Sequence, residues 1–526
     1  MSAVRSTLVS ILLAIGMCIN TQVLCYSNRT NNDPYPPHSA RYPYEYLTTC
    51  FRDYEKGLIP EECEEWISFS ASGFRQSANL GRNIDKVVVE LGDLRGRWNM
   101  LGLMYLGNGA DPSVVDCLMH ALGLDTMTPA DCLVGVTNCI DYISNPKNSD
   151  PLKQFGFFSI PMIYRKDGLR FEFEMKLFCN VGIKIEGGVT EILQTAVFND
   201  QTCQATGPLC ALVCTNATGP SCTTGAISGT NPPCLQTVVN SGALDVEQFT
   251  SECKRLVIQR IMDQRELVAK ALGLNIKNFC IRGPEDTYLS LYWRKVMPVN
   301  QHREEWPYFL LMPFAAFEVV APSGKKVNPN QLFAVPTGNN GHWGIGGMAG
   351  VNFDFVNTIE FGLQSSMTHW LPRSYCNAPV PTHDLQQGMF PYKADYRLHP
   401  GTNWTFSASL YAYHFLDRLS CLAQYIAVTH CGDCFDCVNI KPLDCHLNCI
   451  PNASGVSGNP IEIGDTPIVL TGKMSNESKW KSQVINATLT YDLSPHIAIG
   501  VLWQFPVSRR NAYRSTTILG SVIATF

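Results

Sequence analysis

Apolar and polar residues alternate with a period of two along many stretches of this chain. A strand with a different medium on each face produces that pattern, and a helix does not. The clearest stretch runs from Leu169 to Glu186. Leu169, Phe171, Phe173, Met175, Leu177, Cys179, Val181, Ile183 and Ile185 share one face, and Arg170, Glu172, Glu174, Lys176, Lys184 and Glu186 lie mainly on the other. The stretch is far longer than an ordinary soluble strand of about 5–6 residues; a strand that crosses a bilayer needs about 9–11. The same alternation predicts strands over Trp66–Ala78, Phe155–Arg165, Leu169–Glu186, Thr287–Met297, Trp306–Val320, Trp343–Phe355, Thr358–Trp370, Trp404–Phe415, Ser420–His430, Trp480–Leu493, Ile497–Phe505 and Ser515–Phe526, twelve in all. A further hairpin from Val87–Glu90 and Trp98–Tyr105 would make fourteen.

The connections sort by length. Turns at Lys166-Asp167-Gly168, Val356-Asn357, Leu416–Leu419 and Ser494–His496 are short; residues 79–154, 187–286, 321–342, 371–403 and 431–479 are long. If both ends of the wall lie on one side, the short turns fall on that side and the long loops on the other. An even strand number with this asymmetry characterises membrane barrels. Trp66, Trp306, Trp343, Trp370, Trp404, Trp480 and Trp503 lie near predicted strand ends, where amphipathic rings suit a headgroup boundary. Pro161 and Pro313 remove ladder donors, so each predicts a bulge or kink.

The last strand ends on Phe526, with Ala524, Val522, Gly520 and Ile518 on the same face. This closing segment resembles the C-terminal signal of bacterial outer-membrane β-barrel proteins. The resemblance implies an all-β fold, a closed antiparallel transmembrane β-barrel in the outer membrane of a Gram-negative-type bacterium. It makes Phe526 the membrane-assembly signal, and outer-membrane lipid and the barrel-assembly machinery the partners. The implied activity is porin-like passage of small solutes, with Arg170, Glu172, Glu174, Lys176, Lys184 and Glu186 lining the lumen. Their mixed signs predict weak ion selectivity.

The N-terminus changes the picture only in compartment. Arg5 followed by the apolar run Leu8–Met17 reads as a signal peptide over residues 1–25, leaving 26–65 as a periplasmic segment and 66–526 as the barrel. No later apolar run of about 18 residues predicts a membrane helix. The formal net charge of −5 gives no reason to expect nucleic acid, and a charged fraction of 16% is low for a water-facing surface.

Of 22 cysteines, an even number remains after loss of Cys18 and Cys25 with the leader. Export favours disulfides. Cys203, Cys210, Cys214, Cys222 and Cys234 fall in the first half of the 187–286 insertion, which reads as a disulfide-held extracellular loop. Its second half, Leu244–Leu272, has apolar residues at helical spacing and a C-capping Gly273. Cys431, Cys434, Cys437, Cys445 and Cys449 in the 431–479 insertion have spacings that also suit zinc, but disulfides are the preferred reading and no metal site is assigned. Abundant envelope cysteine resembles the disulfide-linked outer membranes of chlamydia-like bacteria and admits a homo-oligomer or disulfide-linked neighbours.

No catalytic constellation is present. There is no nucleophile elbow and no zinc-protease motif, and the glycine run Gly344–Gly350 lacks a P-loop lysine, so no enzyme activity and no cofactor is predicted. Two other readings stand beside the channel. One is a structural or adhesive surface protein on a plugged barrel. The other is a soluble, disulfide-rich secreted ectodomain, which would use sequons such as Asn216-Ala-Thr and Asn452-Ala-Ser.

Overall fold

The computed structural model describes residues 67–96, 159–178, 180–196, 273–299, 309–355, 359–383, 392–416, 418–441, 468–494 and 496–525, with isolated positions between them. They form a closed antiparallel barrel of twelve strands. In chain order these are β1 (Ile67–Ala78), β2 (Met162–Phe178), β3 (Val181–Ala196), β4 (Thr287–Arg294), β5 (Phe309–Ala321) and β6 (Gly344–Phe355). The second half is β7 (Ile359–Trp370), β8 (Asn403–Leu416), β9 (Leu419–His430), β10 (Trp480–Ser494), β11 (Ile497–Arg510) and β12 (Thr516–Thr525). Each strand pairs with the next. β12 returns to β1, from Ser68↔Thr525 to Ser77↔Thr516, and closes the wall. Among the described residues no helix is long and apolar enough to cross a membrane.

The period-two pattern becomes two surfaces. Phe69, Leu169, Phe171, Ile185, Leu291, Phe317, Phe361, Leu410, Leu489, Val501 and Val522 point outward and are exposed. Ser72, Arg170, Glu186, Ser290, Asn352, Gln424, Asn486 and Gln504 point inward and are buried. Closure leaves no edge, so every wall strand finds its backbone partners in two neighbours.

Four inward aromatic rings sit directly across from a glycine on the adjacent strand: Phe74 from Gly168, Tyr292 from Gly182, Phe314 from Gly350 and Trp370 from Gly344. A Cβ on Gly168 would lie 2.7 Å from the Phe74 ring, and one on Gly344 would lie 2.6 Å from the Trp370 ring. Each ring covers backbone that a glycine leaves bare, an arrangement that pins register and fills a narrow barrel. It accounts for Gly344 and Gly350 of the glycine run.

Several expectations need correction. The hairpin expected at Lys166-Asp167-Gly168 is not there; β2 runs straight through it, and the chain reverses between Phe178 and Val181. The pairing shifts register between Lys176 and Phe178. That extra residue keeps even-numbered positions inward on both arms, so two strands read as one. β3 continues to Ala196, which moves the start of the insertion expected at 187 to 197. β11 continues to Arg510, leaving a short connection to β12 on the long-loop side. Val88–Glu90 belongs to a small separate sheet with Leu80–Arg82 and Ala512–Tyr513, so it adds no wall strand; Trp98–Tyr105 lies outside the described residues. Trp370 and Trp480 are buried, whereas Trp343, Trp404 and Trp503 are exposed. Trp66 and Trp306 lie outside the described residues. Pro161 precedes β2. Pro313 sits inside β5 without a register shift against β6; the interruption falls on its other neighbour, where pairing with β4 stops at Arg294↔Phe314.

On the long-loop side the wall continues past the barrel. Arg373–Val380, Tyr392–His399 and Cys434–Ile440 form a three-stranded sheet that extends β7, β8 and β9 upward. A short helix, α1 (Thr471–Ser478), precedes β10. The helix expected over Leu244–Leu272 falls outside the described residues, apart from residues 266, 269 and 270, which are helical.

Candidate functional site

The interior wall divides by chemistry. On β2 to β4 it carries charges. Arg170 Nε donates to Glu285 Oε2 at 3.0 Å and Nη2 to Oε1 at 3.4 Å, while Lys166 Nζ lies 3.2 Å from the same Oε1. Glu285 comes from the connection just before β4, and its backbone N–H is held by the Gly188 carbonyl at 2.8 Å. Lys184 Nζ lies 3.0 Å from Glu172 Oε2 and 3.3 Å from Glu186 Oε1. The Tyr292 hydroxyl donates to Glu174. Arg170 also stacks on the Phe74 ring, 4.4 Å from its centroid. Arg170 and Glu285 are each about 1% exposed. Each of these buried charges has a partner of opposite sign; a lone buried charge costs several kcal/mol.

On β8 to β12 the middle of the same wall is neutral, with the buried Arg509 at the loop end of β11. Gln424, Asn486, Gln504 and Thr517 stand directly opposite one another in successive ladders, and the row continues through Gln76 to Lys166. Their side chains link hand to hand. Asn486 Nδ2 donates to Gln424 Oε1 at 3.0 Å, Gln504 Nε2 to Asn486 Oδ1 at 3.1 Å, and Thr517 Oγ1 to Gln504 Oε1 at 3.2 Å. Gln424 Nε2 passes the chain on to Ser407 Oγ at 3.0 Å. Each amide both gives and accepts, so a belt of side chains is satisfied without an ion.

The loop-side rim is pinned by two clusters. His430 stacks on Trp480, centroids 5.4 Å apart and rings 7° from parallel. Its Nε2 lies 2.8 Å from Asp433 Oδ1 and its Nδ1 2.6 Å from Asn403 Oδ1. Asp433 in turn receives the Gly401 N–H at 2.6 Å. In the second cluster His342 Nδ1 lies 2.9 Å from the Leu371 carbonyl and Nε2 2.9 Å from the Tyr375 hydroxyl. Nδ1–H donates to the carbonyl, so Nε2 accepts from the phenol. Burial pushes the His342 imidazole below its ordinary value, against the carbonyl contact that favours its charge. Burial likewise raises the Tyr375 phenol. Asp286 holds the loop beneath through the Gly324 N–H at 2.8 Å, and burial raises its carboxyl.

The six sequence-predicted lumen residues all sit on the inward face or at its margin. Arg170, Glu172, Glu174, Lys184 and Glu186 are buried, and Lys176 is half-buried near the turn end. Arg170 is brought to Glu285, and Glu172 and Glu186 to Lys184. Sequence reasoning missed Glu285, which lies in a loop, and the amide row. The signal for the row was available: Asn486 and Gln504 occupy the face opposite the apolar one. Cys431 and Cys437 are exposed free thiols, and Cys434 is a buried one whose pKa burial raises to about 11, so the preferred disulfide reading is not met at these three. Among the described residues no group of metal-binding side chains assembles. Cys203, Cys210, Cys214, Cys222, Cys234, Cys445, Cys449 and Phe526 lie outside the described residues.

No family model and no curated protein matches the chain. Solved structures similar in architecture include the COG4313 outer membrane channel from Pseudomonas putida F1, at 6% identity and a TM-score of 0.40, covering 89% of this chain and 97% of that one. The Pseudomonas putida toluene transporter TodX matches at 8% identity and a TM-score of 0.27, over 96% of this chain and 99% of that one. At these identities and scores the likeness decides nothing about solute or mechanism.

Proposed function

We propose that this chain is an outer-membrane channel that passes small solutes through a narrow interior built from its own side chains. The observation that carries this reading is the pair of surfaces on one closed wall, apolar outside and polar within. Lipid accepts the first, and the backbone bonds between strands leave no polar edge in hydrocarbon. Arg170, Glu172, Glu174, Lys184 and Glu186 line one half of the passage and Gln424, Asn486 and Gln504 the other. Paired charges of both signs predict weak ion selectivity, and neutral amides opposite them offer hydrogen bonds to an uncharged polar solute. The close pairing of these groups predicts small conductance. Purified, folded protein in planar bilayers tests the proposal: discrete small steps support it, and a silent membrane rejects a channel.

A second reading has its own support. Many inward side chains are buried, although Glu318, Gln364, Ser366 and Thr368 are half-buried; the close packing also suits a plugged barrel whose cysteine-rich loops form a cross-linked coat. Electrophoresis without reductant separates the two. Covalent multimers with no conductance favour the coat, and a conducting monomer favours the channel.

A further inference from the structure

The outer wall carries charge at one level only of its β1–β3 sector. Arg75, Asp167 and Glu191 stand side by side in register on β1, β2 and β3, and Arg282, in the short strand Phe279–Pro284, follows Glu191. Arg75 Nε lies 2.8 Å from Asp167 Oδ1, Arg165 Nη2 lies 2.5 Å from Asp167 Oδ2, and Arg282 Nε lies 2.8 Å from Glu191 Oε1. Three guanidinium groups thus face two carboxylates, an excess of one positive charge. Arg75 and Arg282 remain 62% and 77% exposed. Lys481 and Arg510, paired across β10 and β11, add positive charge to the same rim.

The level is informative. Ile67 to Arg75 spans about 27 Å along the strand at ~3.4 Å per residue, or about 21 Å along the barrel axis at the usual tilt. Apolar belts of such barrels are about 25 Å tall. The charged row therefore lies at the upper margin of the belt, where headgroups of the loop-side leaflet would be.

Directly below the row the wall is dented. Gly73 and Gly520 are paired across β1 and β12, and a Cβ on Gly520 would meet nothing within 4 Å. Leu169, Val189 and Ile518 border the dent, and the hollow, of about 970 Å³, runs up to Arg75, Asp167, Glu191 and Arg282. Leu169, Val189 and Ile518 present only hydrocarbon to it, so its lower part suits a hydrocarbon chain. Its top offers guanidinium N–H groups: the described contacts of Arg75 to Asp167 use Nε alone, and an arginine has five donors.

We propose that this hollow binds one lipid of the loop-side leaflet, with an acyl chain over Gly73 and Gly520 and an anionic, phosphate-bearing headgroup on Arg75 and Arg165. The assignment rests on the membrane-barrel reading above. Charge excess beside a grease-lined dent selects a negatively charged amphiphile over a zwitterionic one, because only the former offsets the unbalanced guanidinium.

The test uses the full chain folded in detergent, titrated with phosphatidylglycerol or phosphatidylcholine of matched chains and read by native mass spectrometry. One phosphatidylglycerol per chain should be retained, with a preference of about tenfold over phosphatidylcholine. The double change R75Q/R165Q should abolish the preference. Gly520→Leu, which fills the dent and leaves the arginines in place, should abolish retention of the lipid. Equal retention of both lipids, or a preference that survives R75Q/R165Q, overturns the proposal. Retention undiminished by Gly520→Leu, or inorganic phosphate displacing the lipid at equal concentration, also overturns it, because the site would then recognise an anion without its chain. Failure to insert into vesicles would remove the membrane reading itself; insertion without lipid selection removes only this site.

Discussion

Phe314 lies directly across from Gly350 in the β5–β6 ladder, and its ring occupies the space a side chain at Gly350 would need. The Leu363 carbonyl oxygen closes the other side, 2.5 Å from where a Cβ would be. Gly350→Ala should therefore force the ring and the backbone apart at a cost of about 1–3 kcal/mol. Gly520→Ala, in open space, should fall within about 0.5 kcal/mol of the parent. The temperature at which the folded band is lost in heat-modifiable electrophoresis measures both.

Glu285 neutralises two cations at once. Glu285→Gln leaves Lys166 and Arg170 with one neutral amide between them, and loss of a buried partner costs about 3–5 kcal/mol. If the barrel conducts, the same change should move the reversal potential in a salt gradient toward anions. Lys184→Gln, which strips the cation from Glu172 and Glu186, should move it toward cations.

The amide row is vulnerable at its middle. Asn486→Leu removes the donor to Gln424 and the acceptor for Gln504 together. Each buried amide left without its partner costs about 1–3 kcal/mol. Urea titration of the folded fraction should show the loss, and Asn486→Gln should recover part of it.

Acidity should loosen the rim. The folded His342 has a pKa depressed below its ordinary value of 6.5. Its contribution to stability is complete above that value and declines as pH falls through the depressed one. A second proton would place an N–H against the Tyr375 hydroxyl, which Nε2 now accepts from. Hydrogen exchange over Arg373–Val380 should accelerate on acidification, and His342→Gln should remove that dependence. Exchange that is flat with pH in the parent would exclude the mechanism.

Much of the wall was legible in the sequence because an apolar outer surface and packed polar groups within impose the same alternation on every strand. The strand number survives a misplaced hairpin for a physical reason: the register shift at Lys176 and Phe178 preserves parity across the turn. Lys166-Asp167-Gly168 has turn composition, yet Gly168 is there to admit the Phe74 ring, and Asp167 pairs with Arg75 on the outer surface. Such uses depend on the neighbouring strand, which no local window contains. Glu285 was unreadable for the same reason, since its partner Arg170 is 115 residues away. Trp480 looked interfacial from its place at a strand start; stacking on His430 draws it inside.

The seam at which Ser68 meets Thr525 joins the first strand of the wall to the last. Until the final strand has emerged, both rims of the growing sheet are unsatisfied templates, open to any passing polypeptide. The cylinder therefore cannot be completed piecemeal during synthesis. A wall without β12 would leave β1 and β11 each with one bare rim, an adhesive open sheet rather than a smaller pore.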